Sequence, residues 1–362
     1  MKKRKIISLT LTEYCNLDCV YCYEGQKSKE AMSVETAKKA ISDTFENSDG
    51  YEEIEFDFFG GEPTIQKKAI VELVEWSLSQ EFSKPFCFFL ETNGTLIHGS
   101  FQNWLIENKK HVHVGLSLDG KPETHNKNRN DSYDKIDIDF FVKSYPYKGA
   151  RMTVYSETVG SLFDDIMHLH SLGFSKVDAF FAFGIDWSGR KTKSKLAREL
   201  RKLCDYYLEN PDISENRIFD INLSKLINNK SVKKWCGSGE DILSIAVDGK
   251  TYPCHMFQPN SVDQPLEFDE IDFTQVPSFN DSSCFECMLE PICPNCYGMN
   301  YYATGDVLKR ERSLCDVTKI RTLAVSYLRA KQIENGISKM SPSEIYQTIE
   351  AINMVQRNFS AV

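Results

Sequence analysis

The chain has 362 residues, enough for a large core and two domains. Hydrophobic residues make up 41% and charged residues 26%, an ordinary globular balance. A net charge of -9 argues against a general nucleic-acid-binding surface, and no apolar stretch approaches the roughly 20 residues a membrane helix needs.

Met1-Lys2-Lys3-Arg4-Lys5 looks like the start of a secretion signal. The apolar part that follows is short, alternates with polar residues and runs into Glu13, so we read a cytoplasmic start leading into a strand. From Lys5 to about Asn210, short β-rich runs alternate with longer helical ones. Strands are expected at Ile6–Leu11, Ile54–Phe59, Phe86–Leu90, Val112–Leu118, Arg151–Tyr155 and Val177–Phe183. Helices are expected at Val34–Asn47, Lys67–Gln80, Phe101–Asn108, Ile136–Ser144, Leu162–Leu172 and Lys193–Glu209, where apolar residues recur at three- and four-residue steps. Six strand–helix units in a row predict an α/β fold with a parallel sheet, arranged as a partial (β/α)6 TIM-like barrel over residues 1–210. Residues 211–235 read as a polar bridge and 236–315 as a cysteine-rich domain. Residues 316–362 read as a tail of one or two helices with a break near Ser341-Pro342. The cysteine-rich segment has too few apolar residues to pack alone and is expected to be organised by its metals.

Without an export signal, twelve cysteines point to metal rather than disulfides. Cys87 sits in an apolar run and Cys204 in a helical pattern, and both read as packing residues. The others fall into an N-terminal group of three and a group of seven between Cys236 and Cys315. Cys15, Cys19 and Cys22 are spaced C-x₃-C-x₂-C directly after the first strand. Three thiolates leave one iron of a 4Fe–4S cluster without a protein sulfur, free to take a ligand that reacts. A zinc knuckle with a fourth ligand elsewhere is the other reading.

In a parallel barrel, chemistry gathers where strands end. Cys15 follows the first strand, Gly60-Gly61-Glu62-Pro63 the second and Thr92-Asn93-Gly94 the third, and Ser117-Leu118-Asp119-Gly120 ends the fourth. Asn93, Ser117 and Asp119 could each bind a ribose or carboxylate, or cap a following helix. Arg151, at the start of the fifth strand, could pair with a carboxylate or make a surface salt bridge.

The C-x₃-C-x₂-C motif with an aromatic at Tyr21, followed by Gly60-Gly61-Glu62-Pro63, resembles the radical S-adenosylmethionine (radical SAM) enzymes. The resemblance implies that the open iron binds the methionine moiety of S-adenosylmethionine. Its reductive cleavage would yield a 5′-deoxyadenosyl radical that takes a hydrogen atom from a substrate C–H bond. Tyr21 would lie against the adenine, and Gly60-Gly61-Glu62-Pro63 would hold the methionine amino group. His125 and Arg129 resemble the family's H-D-x-x-R stretch, with Asn126 in place of the acid.

The second group, Cys236, Cys254, Cys284-x₂-Cys287-x₅-Cys293-x₂-Cys296 and Cys315, resembles the seven-cysteine SPASM extension. Two residues, Pro294 and Asn295, precede the sixth cysteine where the family has three. That resemblance implies two auxiliary 4Fe–4S clusters besides the radical one. Cys236, Cys254 and Cys296 would hold the first, with an open iron, and Cys284, Cys287, Cys293 and Cys315 the second. A structural zinc ribbon is the other reading of the C-x₂-C pairs.

Two resemblances to SPASM enzymes compete. Anaerobic sulfatase-maturating enzymes, which form formylglycine, use as base an Asp that follows the second extension cysteine; His255 stands there. A His could take a proton near neutral pH. The other resemblance is to maturases of ribosomally made peptides. It implies a precursor-peptide substrate and a thioether, C–C or C–O crosslink or another oxidised product. A reductant such as flavodoxin or ferredoxin is implied as well. Because the chain begins at the first barrel strand, leader recognition is expected from a discrete partner protein or from the bridge and extension. A non-catalytic zinc-binding interaction protein is the reading from another class.

Overall fold

The computed structural model describes residues 3–228, 236–262, 273 and 281–359. Of the expected bridge, residues 229–235 lie outside the described residues, as do 263–272 and 274–280 of the cysteine-rich segment.

All six expected strands form: β1 (Arg4–Thr12), β2 (Glu53–Gly60), β3 (Phe86–Thr92), β4 (Val112–Ser117), β5 (Ala150–Val154) and β6 (Val177–Phe181). Each is parallel to the next, in spatial order β6-β5-β4-β3-β2-β1. The crossovers carry α1 (Val34–Glu46), α2 (Lys67–Leu78), α3 (Ser100–Glu107), α4 (Pro122–Asn128), α5 (Ile138–Ser144) and α6 (Leu162–Ser171). After β6 comes α7 (Arg190–Glu209). Parallel neighbours require such crossovers, and helices supply them. Sequence periodicity missed α4. Its residues, Pro-Glu-Thr-His-Asn-Lys-Asn, carry no apolar stripe, and Pro122 at the first turn starts it.

Beyond β1 the sheet gains β7 (Ile242–Ile245), parallel to β1, and β8 (Thr251–Tyr252), antiparallel to β7. The sheet therefore has eight strands and two edges, β6 and β8, and the barrel is partial. Residues just past Cys236 thus extend the barrel's own sheet.

Strand β2 alternates strictly. Ile54, Phe56 and Phe58 are buried under the helices, while Glu53, Glu55, Asp57 and Phe59 face the lumen half-buried. Strands of a filled barrel are apolar on both faces. Here the inner face carries charge: Arg4 bonds Glu53 at 2.6 Å and Glu55 at 2.7 Å. On the outer face Phe58 stacks on Phe88 with centroids 5.0 Å apart.

Past the barrel come α8 (Lys225–Asn228), α9 (Ser282–Phe285), α10 (Tyr297–Thr304), α11 (Cys315–Glu334) and α12 (Pro342–Phe359). The α11 helix packs on α7, where Cys204 is fully buried with Sγ 3.4 Å from the Ala324 carbonyl, a packing role. The expected break before Pro342 is a capping box: Ser341 N–H donates to Glu344 at 2.8 Å, and Glu344 N–H to Ser341 Oγ at 3.4 Å. The cysteine-rich segment also has a small apolar cluster: Phe257, Phe273, Tyr297 and Tyr301 bury their rings together with Ala246 and Val307. Among the described residues no helix is long and apolar enough to cross a membrane.

Phe88 is fully buried against Phe56, Phe58 and Phe86 in the middle of the sheet. Phe88→Ala is expected to cost about 3–5 kcal/mol, read as a fall in the guanidinium unfolding midpoint.

Candidate active site

A cavity of about 490 Å³ opens where β1 to β6 end. Its walls bring together Cys15, Cys19, Tyr21 and Cys22 with Gly60, Gly61, Glu62, Pro63, Asn93, Ser117 and Arg151. From the cysteine-rich segment come His255 and Cys296.

The cysteine loop is fixed by backbone contact with the end of β2. Gly61 N–H donates to the Thr12 carbonyl and Glu62 N–H to the Tyr14 carbonyl, each at 3.0 Å. Gly60 has φ +136°, and a Cβ there would lie 2.1 Å from the Thr12 oxygen; one on Gly61 would lie 2.5 Å from Tyr14. The absence of a side chain at both positions lets the end of β2 approach the cysteine loop. Asn93 works on the same loop. Its Nδ2 donates to Asn16 Oδ1 at 3.0 Å, while Asn16 Nδ2 donates to Thr95 at 2.8 Å. Glu62, 2% exposed, accepts from Thr64 N–H at 3.1 Å, Thr92 Oγ1 at 2.7 Å and Asn93 N–H at 2.8 Å. Burial pushes its carboxyl up, and these donors oppose the shift.

Asp119, which the sequence offers as a ribose or carboxylate binder or as a helix cap, is fully buried, and both its oxygens are engaged inside the protein. Oδ1 accepts from Thr153 N–H at 2.9 Å and lies 3.1 Å from Arg129 Nε. Oδ2 accepts from Tyr21 Oη and from Asn128 Nδ2 at 3.2 Å. It therefore positions Tyr21, whose ring faces the cavity with the Arg129 guanidinium 5.5 Å from its centroid. Burial opposes the Arg129 charge, yet Asp119 holds its pKa above the ordinary value. His125 completes the group: Asp119 N–H donates to His125 Nδ1 at 3.2 Å, and Nε2 lies 2.9 Å from Ser132 Oγ. Since Ser132 donates its hydroxyl to the Arg129 carbonyl, Nε2 carries the proton and the ring is neutral.

Ser117 and Arg151 both meet Glu91, an inward residue of β3: Arg151 Nη1 lies 2.6 Å from Glu91 Oε2, and Ser117 Oγ 3.4 Å from Oε1. The Arg151 side chain is 44% exposed, and Arg151 and Glu91 both line the cavity.

Burial pushes the Cys15 thiol up to about 12. Lys27, whose Nζ donates to the Leu17 carbonyl at 2.9 Å, brings a positive charge toward Cys15 and Cys22. Among the described residues no three Cys, His, Asp or Glu side chains converge tightly enough to hold one metal ion. A cuboidal cluster asks for a wider cage, with each sulfur on a different iron. Three thiols on one wall of an open cavity suit that group.

In the second cysteine group, Cys254 lies within electrostatic reach of Cys236 and Cys296, and Cys293 within that of Cys287 and Cys315. Burial pushes Cys254 up to about 12 and Cys293 and Cys296 up to about 11. Cys284 lies in α9, and Cys287 N–H donates to its carbonyl at 3.0 Å. The two cysteine groups meet at His255. Its ring stacks on Phe59 at 4.5 Å and faces Tyr23 at 5.7 Å, and Tyr23 is within electrostatic reach of Cys22, Cys254 and Cys296. Burial, aided by Arg151, pushes His255 down to about 4, so the ring is neutral at neutral pH.

Residues 9–137 match the family model described as "Radical SAM superfamily". Over those residues the chain is similar to the radical SAM superfamily. Over 126 residues it is 36% identical to a cysteine-type anaerobic sulfatase-maturating enzyme of Clostridium perfringens, covering 32% of this chain and 33% of that protein. The match spans about a third of the length of the first curated relatives. Over 347 residues the chain is 22% identical to the radical SAM cyclopropyl synthase TigE of Paramaledivibacter caminithermalis, covering 87% of this chain and 72% of that one. The solved structure of native anSMEcpe with bound AdoMet and Cp18Cys peptide superposes with a TM-score of 0.71 at 22% identity, over 92% of this chain and 100% of that chain. That likeness shows a common fold.

Several residues of the cavity escaped sequence reading. Glu24, 6% exposed, and Lys27 lie just past Cys22. Glu91 was findable from the inward alternation of β3. Met152, Phe180, Phe183, Met256 and Met299 form an apolar wall that only folding assembles. Cys87, read as a packing residue, faces the lumen with Sγ 3.7 Å from Glu55.

Two outcomes are expected. Asp119→Asn leaves the Arg129 cation buried beside a neutral partner and should cost about 3–5 kcal/mol in chemical denaturation. His125 is pushed from 6.5 down to about 4, first by burial and then by Arg129. Above pH 6.5 both folded and unfolded forms are neutral, so its contribution is complete. As pH falls toward 4 the unfolded chain takes the proton first, and about 3 kcal/mol is lost. Stability measured against pH should show this slope in the parent and not in His125→Gln.

Proposed function

We propose that this radical SAM chain modifies a ribosomally made precursor peptide, forming a thioether, C–C or C–O crosslink or another oxidised product. The observation that carries the reading is one cavity with the Cys15-Cys19-Cys22 loop on one wall and His255 with Cys296 on another. An enzyme that abstracts a hydrogen atom and then removes an electron needs both walls in reach of one substrate.

Cys15, Cys19 and Cys22 would hold a 4Fe–4S cluster. Cys236, Cys254 and Cys296 would hold a first auxiliary cluster, and Cys284, Cys287, Cys293 and Cys315 a second. With S-adenosylmethionine bound, the first of these centres supplies a 5′-deoxyadenosyl radical for hydrogen abstraction. Tyr21, held by Asp119, gives the adenine a flat face. Arg151 and Ser117 offer a cation and a hydroxyl to the methionine carboxylate, with Glu91 sharing the guanidinium. Glu62 and the backbone of Gly60 to Pro63 offer acceptors to the methionine amino group. The Met256, Met299 and Phe183 wall gives the target side chain a dry seat. The neutral His255 imidazole is available to accept the proton the substrate gives up. A cytoplasmic location, a flavodoxin or ferredoxin reductant and a discrete leader-binding protein complete the proposal.

A second reading, formylglycine formation on a sulfatase, is favoured by the 36% identity to the sulfatase-maturating enzyme. His255 in place of the expected acid weighs against it.

Anaerobic reconstitution should give a brown protein with about twelve irons per chain that converts S-adenosylmethionine to 5′-deoxyadenosine once reduced. Co-expression with a precursor peptide, followed by mass spectrometry, should then show a loss of about two hydrogens. A colourless zinc protein, or gain of an aldehyde on a sulfatase peptide, would displace the reading. His255→Ala should keep its iron and still cleave the cofactor, while product formation falls roughly 100-fold or more. Unchanged turnover would remove His255 from the reaction.

A further inference from the structure

A guanidinium faces the sulfur of Cys293. Arg310 is 7% exposed, with Nη2 2.7 Å from Cys293 Sγ and 2.6 Å from the Pro294 carbonyl oxygen. Its own N–H donates to Asp281 Oδ2 at 3.1 Å, which fixes the backbone that delivers the guanidinium. A second cation, Arg321, is also within electrostatic reach of Cys293; its guanidinium donates twice to the Ile218 carbonyl, at 3.0 and 2.7 Å.

The surroundings of Cys254 and Cys296 have another character. Besides burial, what acts on Cys254 is Cys236, Cys296, the Met256 backbone and the Ser238 hydroxyl. What acts on Cys296 is Cys236, the Met299 and Gly298 backbone and the Glu311 carboxylate. The described neighbours that act most on these two thiols include an anion and no cation.

That asymmetry has a redox meaning. Hydrogen bonds to cluster sulfurs and nearby net charge set the potential of an iron–sulfur centre. Reduction adds a negative charge, which a donor cation at a ligand sulfur stabilises. A guanidinium keeps its charge throughout the physiological pH range, so its influence is permanent.

We propose that Arg310 is a positioning residue that raises the reduction potential of the centre held by Cys284, Cys287, Cys293 and Cys315 above that of the centre held by Cys236, Cys254 and Cys296. The inference rests on the functional reading above. Product formation removes a hydrogen atom from the substrate, then one proton and one electron. The proton passes to a base such as His255, and the electron reduces one auxiliary centre from its 2+ to its 1+ state. With Arg310 in place, that electron comes to rest on the Cys293 side, away from the cavity.

The test uses the full chain, reconstituted anaerobically, as the parent and as Arg310→Met and Arg310→Lys. Iron content is measured, and each cluster signal is followed by electron paramagnetic resonance through a redox titration. In the parent, one auxiliary centre should be reduced at a higher potential than the other. In Arg310→Met, with iron retained, that centre alone should lose at least tenfold in its equilibrium constant for reduction, about 59 mV for one electron. Arg310→Lys, which keeps the charge and loses the fork, should shift less. Unmoved potentials, equal shifts in all centres, or loss of iron from both variants would overturn the inference; the last would make Arg310 a structural clamp on Pro294. A parent that never acquires auxiliary centres would overturn the functional reading itself, and it shows before any substitution is made.

Discussion

At Gly60 and Gly61 the end of β2 runs against the backbone of Thr12, Tyr14 and Cys15 with no room for a methyl group. Two backbone hydrogen bonds close that contact, and the Asn93–Asn16 bond ties in the end of β3. Three thiols on an otherwise irregular loop thereby take their direction from the sheet. A loop alone would leave Cys15, Cys19 and Cys22 free to rotate apart. Docked on two strand ends, they share the cavity with Tyr21, Glu62, Arg151, His255 and Cys296.

Around Asp119 the same logic runs through charge. One buried carboxylate serves Tyr21, Asn128, Thr153 and Arg129, and its own N–H finds His125. Such a network is stable only while every member is satisfied. Asp119 therefore acts at one remove, through the tyrosine ring it holds in the wall. Residue type at a strand end does not reveal this, because Tyr21 and Thr153 lie 98 and 34 residues away along the chain.

The barrel was legible in the sequence because its strands are apolar runs and its helices amphipathic, and six of each repeat in order. The three-cysteine spacing marked the cavity's first wall for the same reason: it is local. What escaped was non-local or had no apolar period. Strand β7 has only four residues and reads as part of the cysteine-rich segment, yet it pairs with β1. Helix α4 has no stripe. The aromatic core under the second cysteine group draws rings from positions as far apart as Phe257 and Tyr301. Glu91 follows the ordinary in-out alternation, but only the β5 register brings Arg151 to it.

The pairing of β7 with β1 ties the first strand of the barrel to the cysteine-rich segment. Ile6 to Leu9 take Ile242 to Ile245 as neighbours, and Gln258 bridges Thr10 and Ser244 across them. A shortened polypeptide ending near residue 210 would strip the outer side of β1 of its partner. It would leave a long apolar margin, Ile6 to Leu11, open to stacking with other molecules. The N-terminal half is thus not a self-sufficient catalyst awaiting an accessory. Its founding strand is already half clothed by the part that follows.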